Sequence, residues 1–243
     1  MNRPFVRSGR LAIVTTIAGL LFTTLTATAS CGGEIASSPG GARQRRWAAG
    51  TVLVLNDQPI LAEEVDAIGA DFALLEPQDS ILQLRRLAVS RVLIPLIAAR
   101  GLEADRRRRA EAMAQEYREA AIRGDLPAGP MTGPMRIERS GSFASLGFAL
   151  WRTALGTEPG TWSEVFETPG CFHLLHVESR EEGALPGLTR FTIGVFDFPY
   201  LDLDTATADI DAALDRSHLT ILDESWRDAI PATWRYRLHA ENP

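Results

Sequence analysis

Lysine is absent from the 243 residues, so all 25 basic side chains are arginine; this bias fits a GC-rich genome and carries no functional reading. Cysteine occurs twice, at Cys31 and Cys171, which is too few for a disulfide framework. Histidine occurs four times. Cys171, His173 and His176 lie close in sequence, but no fourth ligand accompanies them and the spacing is not a zinc pattern, so no metal and no other cofactor is expected. Phosphate-binding glycine motifs, nucleophile elbows and paired-histidine metal helices are also missing. The net charge is -6, and acidic side chains outnumber basic ones from residue 157 onward, which excludes a basic groove for nucleic acid. The run Arg106-Arg107-Arg108-Arg109, beside Glu103, Asp105 and Glu111, reads as a solvated helix face.

What is present suffices for a packed core: 45% of the residues are hydrophobic, and the length accommodates one domain or two small ones. Residues 1–30 carry Arg3, Arg7 and Arg10, an apolar segment over 11–25, and small residues up to Ser30, the pattern of a signal peptide. The apolar segment is shorter than the roughly 20 residues that span a bilayer as a helix. Small residues immediately before Cys31 resemble the lipobox of bacterial lipoproteins, although Thr28 stands where that pattern usually has Leu. The resemblance implies acylation at Cys31. Gly32 and Gly33 after it, in place of Asp, favour the outer membrane by analogy with enteric bacteria. Residues 31–50 are rich in Gly, Ser, Ala and Pro without apolar periodicity, and read as a flexible tether.

Residues 51–101 organise the rest. Val52, Leu53, Val54 and Leu55 predict a strand that stops at Asn56-Asp57-Gln58-Pro59. Glu63, Glu64 and Asp66 suit the first turn of a helix. Asp79 or Ser80 caps a second, strongly apolar helix that reaches Gly101, expected to stop it in a left-handed conformation, with a kink near Pro95. A third helix covers about 104–123 and closes at Gly124. Residues 125–142, with several Pro and Gly, read as a linker. Beyond it, Phe143 to Leu155 is helical, Trp162, Val165 and Phe166 form a strand, Pro169-Gly170 turns, and Phe172, Leu174, Leu175 and Val177 return. Phe191, Ile193, Val195 and Phe196 alternate in a strand, Thr205 opens a helix, and residues 218–222 make a last strand.

The strand, Asn-Asp-Gln-Pro turn and leucine-rich helix of the first module resemble the N-terminal module of SurA-type periplasmic foldases. The stretch from Leu155 to Val177 is similar to the last third of a parvulin (PpiC-type) prolyl isomerase domain, the matching positions being Pro159, Gly160, Ser163, Thr168, Gly170 and His173. The opening His-Ile-Leu strand and the glycine-pair strand of that family have no counterpart. Neither does the first site histidine, nor the Cys or Asp of the central strand. The resemblance therefore implies an α+β chain. Its helical chaperone-like module, 51–124 with 205–240, is completed by the C-terminal helix and strand, and a trimmed parvulin-like region, 143–198, is inserted. Val52 to Asn56 and Leu219 to Leu222, both short, apolar and followed by a turn, are expected to pair.

By the same resemblance Thr168 and His173 are the polar pair of a proline pocket and Phe148 is a side wall, with catalysis weak or lost. The implied partners are unfolded or proline-containing envelope proteins, at the periplasmic face of a bacterial membrane through the lipid anchor. The alternative is a non-enzymatic, lipid-anchored binding or assembly protein. Acylation is directly testable: Cys31→Ser is expected to leave unprocessed precursor or to move the protein to the soluble fraction on membrane fractionation. Unchanged processing and distribution would refute the lipoprotein reading.

Overall fold

The computed structural model describes residues 47–126, 134 and 136–239; the expected signal peptide, Cys31 and residues 31–46 of the expected tether lie outside the described residues. The apolar run forms β1 (Thr51–Leu55), but the chain does not end its strand at the turn. Asn56 and Asp57 take φ 50° and 66°, the paired left-handed conformations of a two-residue hairpin turn that Asn and Asp tolerate. The chain then returns as β2 (Gln58–Leu61). Pro59 is accommodated because β2 lies at the edge of its sheet. Helix α1 (Ala62–Ala73) follows directly, with Glu63 and Glu64 in its first turn.

The long apolar helix is three pieces. Ser80 caps α2 (Ile81–Leu87), its hydroxyl accepting from the Gln83 amide at 3.2 Å. A π-helical turn, Ala88–Leu93, leads into α3 (Ile94–Arg100). Pro95 explains the π turn: it has no N–H for the carbonyl four residues back and its ring crowds that carbonyl, so the chain widens and the Ile94 amide donates to Val89 instead. The apolar character does not mean burial throughout: Ile81 and Leu82 are 69% and 38% exposed, and burial begins at Ala88. The expected left-handed stop at Gly101 fails. Gly101 is right-handed at φ -73°, and the left-handed residue is Glu103, immediately before α4 (Ala104–Arg123). Gly124, at φ 78°, closes α4 as its position requires.

The segment 125–142 is not wholly a linker. Within it, β3 (Arg136–Gly141) is a half-exposed edge strand. Its residues are mostly polar because most of them face water, so it lacks the apolar alternation of a half-buried strand. Helices α5 (Phe143–Leu146) and α6 (Phe148–Gly156) are separated by Gly147, at φ 78°. Then come β4 (Phe166–Thr168), shorter than the strand expected from Trp162, β5 (Cys171–Glu181) and β6 (Arg190–Pro199). Helix α7 (Ala206–Leu214), β7 (Leu219–Ile221) and the short α8 (Ala232–Arg237) complete the described chain.

The fold is α+β with two antiparallel sheets, ordered β2-β1-β7 and β3-β6-β5-β4. In the first, β1 pairs with β7 in the register Leu53↔Ile221, Val54↔Thr220 and Leu55↔Leu219, so the two ends of residues 51–221 meet in one sheet. Asn56 secures the junction: its side chain donates to Ser217 Oγ at 2.7 Å and accepts from the His218 amide at 2.9 Å. The described residues form one compact unit. The second sheet divides its burial by strand alternation. Phe172, Leu174, Phe196 and Phe198 join the core of the first sheet and helices, and Tyr117 of α4 packs its ring 4.9 Å from Phe196. Leu175, Val177, Ile193 and Val195 face the other way, under Trp151 of α6. Among the described residues no helix is long and apolar enough to cross a membrane.

Leu53 and Ile221 are fully buried partners across β1 and β7. Each change to Ala is expected to cost about 2–5 kcal/mol by urea denaturation. Because the side chains touch one neighbourhood, the double variant should depart from additivity by about 0.5–3 kcal/mol.

Candidate functional site

The site forms where β4 turns into β5. Pro169 and Gly170 make a two-residue connection, Thr168 pairing with Cys171, and Gly170 takes φ 93°, which a residue with a side chain rarely adopts. The turn is anchored from below: the Gly170 amide donates to the Tyr200 hydroxyl at 3.0 Å, and its carbonyl accepts from the amides of Tyr200 and Leu201. Side chains alternate across a strand, so Cys171 and His173 share a face. On β6, Asp197 lies directly opposite His173 in register, and on β4 Phe166 lies opposite it on the other side.

These placements produce a chain of hydrogen bonds. His173 Nδ1 is 2.7 Å from Asp197 Oδ1, and His173 Nε2 is 2.7 Å from Thr168 Oγ1. An ionised carboxylate only accepts, so a neutral ring donates from Nδ1 to Asp197 and its Nε2 accepts the Thr168 hydroxyl. The Phe166 ring stacks on the imidazole at 5.2 Å. Water still reaches this chain, the side chains of His173 and Asp197 being 13% and 21% exposed. Cys171 Sγ lies 3.9 Å from His173 Nδ1. Burial pushes its thiol up to about 12, with the Asp197 charge adding to the effect, so the sulfur is protonated at neutral pH and is no nucleophile.

Thr168 also lines a cavity of about 380 Å³ whose other walls are mainly apolar, among them Phe72, Val92, Leu96, Phe143 and Phe148. Its size is ordinary for a small-ligand or peptide side-chain pocket. Phe148 stacks face to face on Phe72 of α1, with centroids 4.0 Å apart. The cavity is therefore built jointly by the helical module and the helix over the second sheet.

Beside Thr168, the Glu167 carboxylate has only 7% of its side chain exposed. Arg107 of α4 grips it with two donors at 2.7 and 2.9 Å, Arg100 of α3 donates at 2.8 Å, and the Tyr200 hydroxyl donates at 3.1 Å. Burial pushes this carboxyl up, but the Arg107 hydrogen bonds and the Arg100 charge outweigh it and hold the group below its ordinary 4.5. Arg107 is thus not part of a wholly solvated arginine face, as the sequence suggested. It turns inward to meet a buried acid.

Of the residues expected from sequence, Thr168 and His173 are in direct contact, and Phe148 lines the same cavity as Thr168. Cys31 lies outside the described residues. His176 is on the opposite face of β5, its ring 4.9 Å from Trp162. Asp197 was missed. It joins the expected pair of Thr168 and His173 because β6, which follows the hairpin, supplies an acid in register with the histidine. The signal was present: an aspartate between Phe196 and Phe198 in an otherwise apolar strand needs a reason. Comparison with protein-family models, with curated proteins and with solved structures finds no match to this chain.

Removing one partner of a buried ionic cluster leaves the others uncompensated, so Glu167→Gln is expected to destabilise the protein by about 3–5 kcal/mol at neutral pH. The pH dependence has a definite sign. A carboxyl depressed in the folded state stabilises fully above its unfolded pKa, near 4.5, and that contribution is lost as pH falls through the lower folded value. Urea midpoints of wild type and Glu167→Gln should therefore converge on acidification below about 4.5.

Proposed function

We propose that this chain is a cell-envelope foldase of the parvulin type, which binds proline-containing segments of unfolded envelope proteins and isomerises them slowly. The observation that carries the reading is the Thr168–His173–Asp197 chain ending at the wall of an apolar cavity. Prolyl isomerisation breaks no bond. Its barrier of about 20 kcal/mol comes from twisting an amide out of resonance, and a site lowers it by binding the twisted form better than the planar ones. That task needs apolar walls for the ring and a few fixed polar groups, not a strong acid or base. Phe148 and Phe143 provide the walls. Thr168 provides a hydroxyl whose orientation is fixed by His173, itself fixed by Asp197.

Two features argue for slow catalysis. Water at His173 and Asp197 competes with the twisted amide for the polar groups. The strands that carry the rest of the parvulin pattern are not recognisable in the sequence. The signal peptide and Cys31 support a lipid-anchored location at the periplasmic face, favouring the outer membrane. A second reading, a binding or assembly protein without catalysis, is favoured by the Phe72–Phe148 stack. It makes the cavity wall from the helical module, and such a cavity can hold apolar side chains whether or not proline is among them.

A proline-tetrapeptide isomerisation assay tests the proposal. Weak but measurable turnover is expected, with His173→Ala lowering it less than tenfold and Asp197→Asn lowering it similarly, while suppression of aggregation of an unfolded envelope protein is retained by both. No turnover above the uncatalysed rate leaves the binding reading. Robust turnover with a hundredfold loss in His173→Ala overturns the claim of slow catalysis.

A further inference from the structure

The thiol of Cys171 is unused by the isomerase reading, yet it shares a face with the two residues that reading needs. We infer that Cys171, His173 and Asp197 form a binding site for a divalent transition-metal ion of borderline softness, zinc foremost. The inference does not rest on the isomerase proposal, since it would hold in a pure binding protein.

Backbone register aims all three groups at one point. Cys171 and His173 are two residues apart on β5, and Asp197 is the cross-strand partner of His173. Their sulfur, nitrogen and oxygen atoms lie within 4.8 Å of one another. Tetrahedral zinc with bonds of about 2.3 Å to sulfur and about 2.0–2.1 Å to nitrogen and oxygen separates its ligand atoms by about 3.4–3.6 Å. The Cys171 Sγ to His173 Nδ1 distance of 3.9 Å is close to that span. The His173 Nδ1 to Asp197 Oδ1 distance of 2.7 Å is the proton-bridged form, and must open by under about 1 Å as the metal takes the place of the proton.

The surroundings fit a metal ligand as well. A histidine bound through Nδ1 keeps its proton on Nε2 and normally donates it to an oxygen, and Thr168 Oγ1 stands 2.7 Å from Nε2. On binding, the thiol proton leaves to solvent, the sulfur–metal bond forms, and the ring shifts from its Nδ1–H to its Nε2–H tautomer without net loss. One thiolate, one imidazole and one carboxylate suit zinc or cobalt over magnesium or calcium, which prefer oxygen. Three protein ligands leave a fourth position for water. His176, the other nearby histidine, is excluded because it occupies the opposite face of β5.

The test is a titration of the full chain, kept reduced, with cobalt(II) as the spectroscopic probe. A thiolate-to-cobalt charge-transfer band in the near ultraviolet is expected, displaced by zinc and unaffected by excess magnesium. Cys171→Ser should abolish the band although Cys31 remains in both proteins, and Asp197→Asn, which preserves side-chain volume, should weaken cobalt binding at least tenfold. Near-ultraviolet circular dichroism of both variants reports folding, and Asp197→Asn decides if Cys171→Ser does not fold. Absence of the band in wild type, its persistence in folded Cys171→Ser, or unchanged affinity in Asp197→Asn overturns the site.

Discussion

The Glu167 carboxylate holds together the parts of the protein that must meet for there to be any site. It belongs to β4, a strand of three residues that pairs with one neighbour, and a strand so short has little holding it in place by backbone bonds alone. Arg100 reaches it from α3 and Arg107 from α4, so the strand is pinned to two helices of the N-terminal module. Tyr200 extends the cluster to the residue after β6, and the same hydroxyl accepts from the Gly170 amide of the β4–β5 turn. Its phenol is pushed up, by burial first and the Glu167 charge besides, so it stays protonated as the donor that the carboxylate needs. Thr168 is the next residue along. Its position relative to the cavity thus follows from an ion cluster whose acid, Glu167, lines the same cavity.

A buried acid between two arginines is a poor source of stability compared with an apolar substitute, because desolvation offsets much of the attraction. Its use here is geometric. Apolar contacts among Phe72, Phe148 and Leu87 could slide by a fraction of a residue at little cost, whereas two hydrogen bonds from the Arg107 fork admit one orientation. The arrangement also explains why the core is continuous between the first sheet and one face of the second. Pinning β4 to α3 and α4 brings β5 down onto α4, where the Arg107 guanidinium lies over the Phe172 ring.

How much of this was legible depended on how local the cause was. Helix α4, with its end at Gly124, follows from composition and a left-handed stop, and the β1–β7 pairing follows from two short apolar strands needing cover. The hairpin of β2 was hidden by Pro59, since a proline argues against a strand unless an edge is available, and edges are a property of the whole sheet. Strand β3 was hidden because its face is polar and solvated. In the site, Thr168 and His173 could be named because they lie five residues apart in one hairpin. Asp197 stands out only as an acid in an apolar strand; its partner, and the meeting of Glu167 with the two arginines, depend on register and on packing between distant segments, 24 residues from His173 to Asp197 and 60 from Arg107 to Glu167.

Strand β6 supplies the acid of the site. It follows the hairpin in sequence and lies inside the sheet beside β5, with Asp197 in register with His173. An ionised carboxylate only accepts, so the hydrogen bond from Nδ1–H to Asp197 holds the ring and removes the ambiguity of tautomer. Under the proposed function that arrangement suits a reaction with no proton transfer. The site needs Thr168 held at one angle beside an apolar cavity, and an acid behind the imidazole meets that need as well as a base would. The same carboxylate places an anionic oxygen beside Cys171, and that oxygen gives the proposed metal site its third, hard ligand.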